Sequence, residues 1–281
     1  MEKMFDTHAH YFDEKYKEIP EGAEGLLSRL FEEQVEYVLN AATSTADSLA
    51  VLEFCDRFPG CYGAVGVHPE NCDREGSVEE ALRILRTLCR HGKVVAVGEI
   101  GLDYHWEENP LKEVQKAFFR AQMELAGELG LPAVIHDRDA HGDTFELLSE
   151  FSNVPTVLHS YSGSPEMARQ YLQKGERYIS FSGVLTYKNA VQTVETARLV
   201  PLDRMLLETD CPYLPPVPYR GRMNHSGYMI ETAKKLAEIK EISLEKLIFQ
   251  TKKNALSVFR IQKISKKIIA RNKDLYIALA K

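Results

Sequence analysis

The segment FDTHAHYF, residues 5–12, sets His8 and His10 two positions apart, with Asp6 two before them. Side chains at i and i+2 diverge on a helix and share a face on a strand. On a strand both imidazoles can therefore reach one point, as a pair of metal ligands must. A polar strand end with two solvated histidines fits the same residues about as well, so the pair decides nothing alone.

Other residues of this chemical type recur along the chain. His68 stands in GVHPE, Glu99 in VGEIGLDY, His136 in LPAVIHDRDA, His159 in VLHSYSG and Asp210 in LLETD. Each follows an apolar, β-rich run. Taken singly, each has an ordinary reading. A histidine at a strand end usually hydrogen-bonds a neighbouring loop, Glu99 could cap the loop containing Gly101, and Asp210 suits the first position of a turn. A coincidence repeated at equivalent positions is harder to dismiss. With His68 set apart, four imidazoles and two carboxylates remain, the ligand set of borderline divalent cations such as Zn²⁺ or Mn²⁺. Six ligands exceed one tetrahedral ion, but with one carboxylate bridging they suit two ions roughly 3.5–4 Å apart.

The elements that would carry these residues alternate. Strands are expected at 36–42, 61–69, 93–103, 131–137, 154–163, 177–183 and 203–210, after a first strand that ends in His8 and His10. Amphipathic helices separate them. The best marked are 77–92, with Ser77 as cap and Gly92 as stop, and 111–130, closed by Gly130. About eight strand-then-helix units imply a parallel sheet and match the count that closes a TIM-type (β/α)8 barrel. A doubly wound open sheet is the main alternative, but no GxGxxG follows the first strand. A parallel barrel gathers its active site at the C-terminal ends of its strands, which is where these residues fall.

Composition narrows the function classes. The 281 residues are 44% hydrophobic and 27% charged, a globular balance with ample material for a core. No apolar run approaches a membrane span, and MEKMFDTHAH lacks the basic and apolar regions of a signal peptide. A cytoplasmic protein is expected, with no membrane and no stable protein partner. The five cysteines are scattered, without a CxxC pair, and indicate neither a disulfide framework nor a zinc finger. The net charge is −6, although residues 260–281 hold seven basic side chains and one acidic. An acidic body argues against broad nonspecific binding to duplex DNA. It does not exclude a phosphate substrate, because carboxylates that hold divalent ions are neutralised by them.

FDTHAH, GVHPE, VGEIGLDY, LPAVIHDRDA, LHSYSG and LLETDCPYLPP, in that order and spacing, resemble the TatD family of metal-dependent hydrolases and deoxyribonucleases. The likeness runs from about Met4 to Phe259. It implies a barrel of the amidohydrolase kind, with two divalent metal ions (Zn, Mn or Mg) bound by His8, His10, Glu99, His136, His159 and Asp210. It also implies hydrolysis of phosphodiester bonds in DNA. In the mechanism expected from it, His8, His10 and Asp210 hold one ion, His136 and His159 the other, and Glu99 bridges them. Asp210 is the candidate acceptor of the water's proton.

Beyond the ligands, His68 and Arg138 are candidates to grip substrate phosphate. An ion pair with Asp137, Asp139 or Asp143 is an equal reading for Arg138. Arg220 and Arg222, on the Pro-rich loop after Asp210, are further candidates to reach the substrate, a solvated loop being the more ordinary reading of either alone. Tyr104, Trp106 and Tyr161 are candidates to stack an unpaired base, whereas His91, His105 and His141 are left outside the site. Asp6 is expected to orient an imidazole. One loop departs from the family pattern: His225-Ser226 stands where Glu-Pro is usual. Residues 1–259 form the expected barrel, and 260–281 a basic extension, helical or loosely ordered. Two other function classes stay open, an amidohydrolase or deaminase acting on a small C–N substrate and a non-enzymatic metal-binding protein. Many amidohydrolases use a carboxylated lysine at the fourth strand, and Glu99 in that position favours the nuclease.

Overall fold

Short, nearly continuous apolar runs become strands buried on both faces, and period-3.6 runs become helices, in strict alternation. The computed structural model describes residues 2–261. Its strands are β1 (Met4–Ala9), β2 (Val35–Ala41), β3 (Cys61–Val65), β4 (Val94–Asp103), β5 (Ala133–Arg138), β6 (Thr156–Leu158), β7 (Arg177–Phe181) and β8 (Met205–Leu207). The helices between them are α1 (Gly22–Glu33), α2 (Thr45–Asp56), α3 (Val78–Leu88), α4 (Lys112–Leu129), α5 (His141–Glu150), α6 (Pro165–Leu172) and α7 (Val191–Leu199). Helices α8 (Met229–Ile239) and α9 (Leu244–Val258) follow β8.

Local chemistry sets the helix ends. Ser44, Ser77, Ser164 and Ser243 each accept a backbone N–H of the first turn of α2, α3, α6 and α9, satisfying a donor that the helix leaves unpaired. Gly130 stops α4 in the left-handed conformation, φ 66°.

The eight strands lie in the order β1 to β8, every neighbouring pair parallel. This is the expected TIM-type barrel, nearly closed. The seam between β8 and β1 is held by contacts that mostly lie beyond the short β8. Asp210 N donates to His8 O at 2.9 Å and His10 N to Cys211 O at 2.7 Å. Thr7 Oγ1 donates to Leu207 O at 3.0 Å. All eight strands contribute to one buried cluster, with Phe5, Leu39, Tyr62, Val95, Val134, Val157, Tyr178 and Leu206 from β1 to β8 in turn, which Val258, Phe259 and Ile261 join from the chain after β8. The expected barrel limit at 259 is thus followed by two more packed residues: Ile261 is buried and Arg260 donates to Gly130 O at 2.7 Å. The rest of the basic extension lies outside the described residues. Among the described residues no helix is long and apolar enough to cross a membrane.

Several strands are shorter than their apolar runs. The third ends at Val65, so His68 stands beyond it, opening a 3-10 turn (Pro69–Arg74) with its ring accepting from Glu70 N at 3.2 Å. The fourth continues four residues past Glu99, to Asp103. At Gly101 (φ 146°) a Cβ would stand 1.9 Å from His136 O. Only glycine fits there, and β4 thereby presses against the strand that carries His136.

Candidate metal centre

Glu99 is the hub. Its Oε2 lies 3.3 Å from His8 Nε2 and 3.8 Å from His10 Nε2. Its Oε1 faces the other way, 2.9 Å from His136 Nδ1, 3.0 Å from His159 Nε2 and 3.7 Å from His68 Nε2. Asp210 Oδ1 closes the first group at 3.3 Å from His10 Nε2 and 3.8 Å from His8 Nε2. Residues spread over two hundred positions of sequence thus meet at the mouth of the barrel. His8, His10, His68, Glu99 and His159 are buried. Asp210 reaches the cluster from a left-handed residue, φ 57°, and Ser160, which lines the same cavity, has φ 38°. Backbone held in such sparsely populated regions concentrates at functional sites.

The donor set fits divalent cations. His8 Nε2 and His10 Nε2 stand 3.1 Å apart, and His10 Nδ1 donates to Ala41 O at 2.8 Å. A neutral His10 therefore points a lone pair at its neighbour. Burial opposes charge on every ring here, yet three imidazoles are driven towards the cationic form. His136 is raised to about 9 against burial by hydrogen bonds to Asp103 and Glu99. Against the same burial, His159 is raised well above its usual range by Glu99 and Glu208, and His10 is raised by Asp210. Glu99 is held far below the carboxylate range, its burial outweighed by His159, His8 and His68. The cluster demands positive charge, which protons or metal ions can supply. Three triads have ligand atoms close enough for an ion: His8–His10–Asp210, His8–Glu99–His159 and His68–Glu99–His136.

Behind the cluster are carboxylates the sequence reading did not single out. Asp103 Oδ2 pairs with His136 Nε2 at 3.0 Å, and Glu208 Oε1 pairs with His159 Nδ1 at 3.2 Å while accepting Ser160 N at 2.6 Å. Both fix ring orientation, as outer partners of ligating histidines do. Their signal was present: Asp103 belongs to the GLDY stretch and Glu208 to LLETD. Asp6 corrects an expectation. Its carboxylate orients no imidazole; it accepts Thr209 N (3.0 Å), Thr209 Oγ1 (2.6 Å), Ser226 Oγ (2.7 Å) and His8 N (3.3 Å). Burial raises Asp6 to about 7.

Around the cluster opens a cavity of about 800 Å³ lined by Arg138, His105, Phe12, Tyr213 and Leu214 among others. Arg138 pairs with none of the three expected aspartates. Asp137 binds His141, Asp139 binds His105 and Asp143 binds Lys116. The Arg138 guanidinium lies instead over Trp106, 5.3 Å from the ring centre. Trp106 is 46% exposed. Tyr161 is buried with its hydroxyl on Ser164 O, and the Tyr104 ring has its hydroxyl on Asp143 and the Lys112 ammonium over one face, 4.1 Å from the ring centre. Arg220 lies over Tyr187 and Arg222 over Tyr219. His105, left outside the site by sequence, lines the cavity. His91 stands away from it, 3.3 Å from Asp56.

A parallel barrel whose C-terminal rim gathers imidazoles and carboxylates around a shared glutamate defines the metal-dependent hydrolase class. The family model described as "TatD related DNase" matches residues 5–260, and the chain belongs to that family. It is 39% identical over 260 residues to the uncharacterized metal-dependent hydrolase YabD of Bacillus subtilis, covering 92% of this chain and 99% of that one. It is 34% identical to the uncharacterized metal-dependent hydrolase YcfH of Escherichia coli K12, covering 92% and 96%. Among solved structures, the TatD homologue YJJV of E. coli K12 superposes with a TM-score of 0.82 at 27% identity, over 92% of this chain and 98% of that one. A TatD-family hydrolase of Entamoeba histolytica, at 23% identity and a TM-score of 0.80, shares the fold.

Proposed function

We propose that this metal-dependent hydrolase is a two-ion phosphodiesterase that cuts DNA, with unpaired ends as its preferred substrate. The observation that carries the reading is the division of Glu99, with one oxygen turned to His8 and His10 and the other to His136 and His159. His8, His10 and Asp210 would hold one ion and His136 and His159 the other, with Glu99 available to both. Divalent ions bound there make water acidic and stabilise charge on phosphoryl oxygens.

The chain's own residues do the rest. Asp210 has Oδ1 turned to the two N-terminal histidines, and its carboxylate accepts the proton of the attacking water. Its pKa stays below the usual range, because His10, His159 and His8 outweigh burial, so it is ionised and able to accept. His68 is neutral at physiological pH, lowered to about 3 by burial and by His136. Its Nδ1 accepts from Glu70 N, so Nε2 carries the hydrogen and donates to a phosphate oxygen. Arg138, free of the aspartates around it, supplies a two-pronged donor to phosphate. Trp106 offers its exposed face to an unpaired base.

The test is purified protein with Mn²⁺ or Mg²⁺ and end-labelled single-stranded DNA. Wild type degrades it and Asp210→Ala does not. Equal failure of both, with turnover of a C–N substrate such as a cyclic amide, would replace this reading with the amidohydrolase one.

A further inference from the structure

On the opposite side of the barrel from this site, Cys55 and Cys61 bring their Sγ atoms to 3.1 Å. Cys55 lies in the last turn of α2 and Cys61 is the first residue of β3, and both are fully buried. A disulfide requires about 2.05 Å, so roughly one ångström of approach separates two thiols from a bond. The turn between them is held tightly. Phe58 N donates to Cys55 O at 3.2 Å and Cys61 N to Phe58 O at 3.1 Å. Lys93 Nζ donates to the carbonyls of Phe58, Pro59 and Cys61 at 2.8, 3.0 and 3.0 Å. At Gly60 a Cβ would stand 2.4 Å from Glu36 O, so that residue locks the turn against β2. The thiols are therefore juxtaposed by the backbone and not by flexible side chains alone. Burial and the neighbouring Cys61 hold the Cys55 thiol well above its usual range, and the ammonium of Lys93 acts in the opposite sense without overcoming them, so the pair rests as two thiols.

We propose that Cys55 and Cys61 form a modification site, a dithiol that a small peroxide oxidises to an intrachain disulfide joining the end of α2 to the start of β3. With hydrogen peroxide, the first thiol gives up its proton, its sulfur attacks one oxygen and the O–O bond breaks, leaving a sulfenic acid and a hydroxide that takes that proton to become water. The second thiol then displaces hydroxide from that sulfur. In total the S–S bond forms, two protons and two electrons leave the thiols, and the peroxide ends as two waters. Two equivalents of a low-molecular-weight thiol restore the pair by exchange and leave as their own disulfide. The position predicts a change confined to the base of the barrel, with the metal cluster untouched.

The experiment treats the reduced full chain with a limited amount of hydrogen peroxide, quenches, unfolds and alkylates. Five thiols are alkylated before treatment, and three are expected after it, with the mass lower by two hydrogens and a peptide map linking Cys55 to Cys61. Reducing the product with dithiothreitol returns all five. Cys55→Ser and Cys61→Ser each have four thiols and keep all four alkylatable under the same exposure. The key readout is on wild type, so a variant that folds poorly does not remove the test. The proposal is overturned if five thiols persist. It is equally overturned if the loss falls on Cys72, Cys89 or Cys211, or if the bond forms as readily in urea-unfolded chain.

Discussion

The Asp6 carboxylate receives both the amide and the hydroxyl of Thr209, at 3.0 and 2.6 Å. One buried side chain thus ties the first strand to the residue preceding Asp210. Ser226, from the loop that departs from the family pattern, donates to the same carboxylate at 2.7 Å and pairs with the Tyr11 hydroxyl at 2.8 Å. The seam where the barrel closes and the support of the proposed proton acceptor are therefore one network.

Replacing Asp6 with Ala removes the acceptor of four buried donors, each costing about 1–3 kcal/mol where it is left unpaired. Urea unfolding is expected to show a loss at the upper end of that range or beyond. Among molecules still folded, Asp210 loses its fixed position, and kcat is expected to fall by at least about tenfold. A variant as stable as wild type would show that the network is not structural.

Asp103→Asn tests the outer support of the second proposed ion. The amide still fills the space beside His136 but does not polarise its ring as a carboxylate does. Affinity for one of the two ions is expected to fall about 10–100-fold, with the other unchanged, in a competition titration against a chromophoric chelator. A uniform fall at both sites would place Asp103 elsewhere in the scheme.

Trp106→Ala removes the exposed ring beneath Arg138. Base stacking is worth about 1–3 kcal/mol, so KM for a single-stranded oligonucleotide is expected to rise about 5–100-fold with kcat nearly constant. Steady-state kinetics at several strand lengths reads this directly. An unchanged KM would leave Trp106 as packing for the guanidinium.

His225 gives a pH dependence away from the metal residues. Burial and the Arg29 charge lower it to about 4, against about 6.5 in the unfolded chain. Above about 6.5 both states are neutral and nothing is lost. As pH falls from about 6.5 to 4 the unfolded chain takes the proton first, so stability drops across that window by about 3 kcal/mol and levels off below it. The stability difference between wild type and His225→Gln, measured by urea unfolding from pH 7 to 4, is expected to shift by that amount. A difference independent of pH would contradict the assignment.

Much of this was legible in the chain because strand-then-helix alternation and strand-end histidines are local signals. His8, His10, Glu99, His136, His159 and Asp210 could be singled out since each terminates an apolar run or follows it closely. What was not legible depends on pairings across the barrel. Asp6 looked like a partner for a nearby imidazole, but its partners are 203 and 220 residues away. Asp103 and Glu208 lay inside motifs already noticed, yet only the fold shows which carboxylate faces a ring. Arg138 had three aspartates close by in sequence, and each is taken by another cation or a histidine. Tyr104 and Tyr161 read as loop aromatics, and their hydroxyls are spent on fixing the loops.

The account rests on Glu99 serving two ions at once. Crystals grown with Mn²⁺ and measured at the manganese absorption edge test this most directly. Two anomalous peaks about 3.5–4 Å apart are predicted, one beside His8, His10 and Asp210 and one beside His136 and His159, with a Glu99 oxygen against each. A single peak at full occupancy, or two peaks with Glu99 contacting only one, would contradict it.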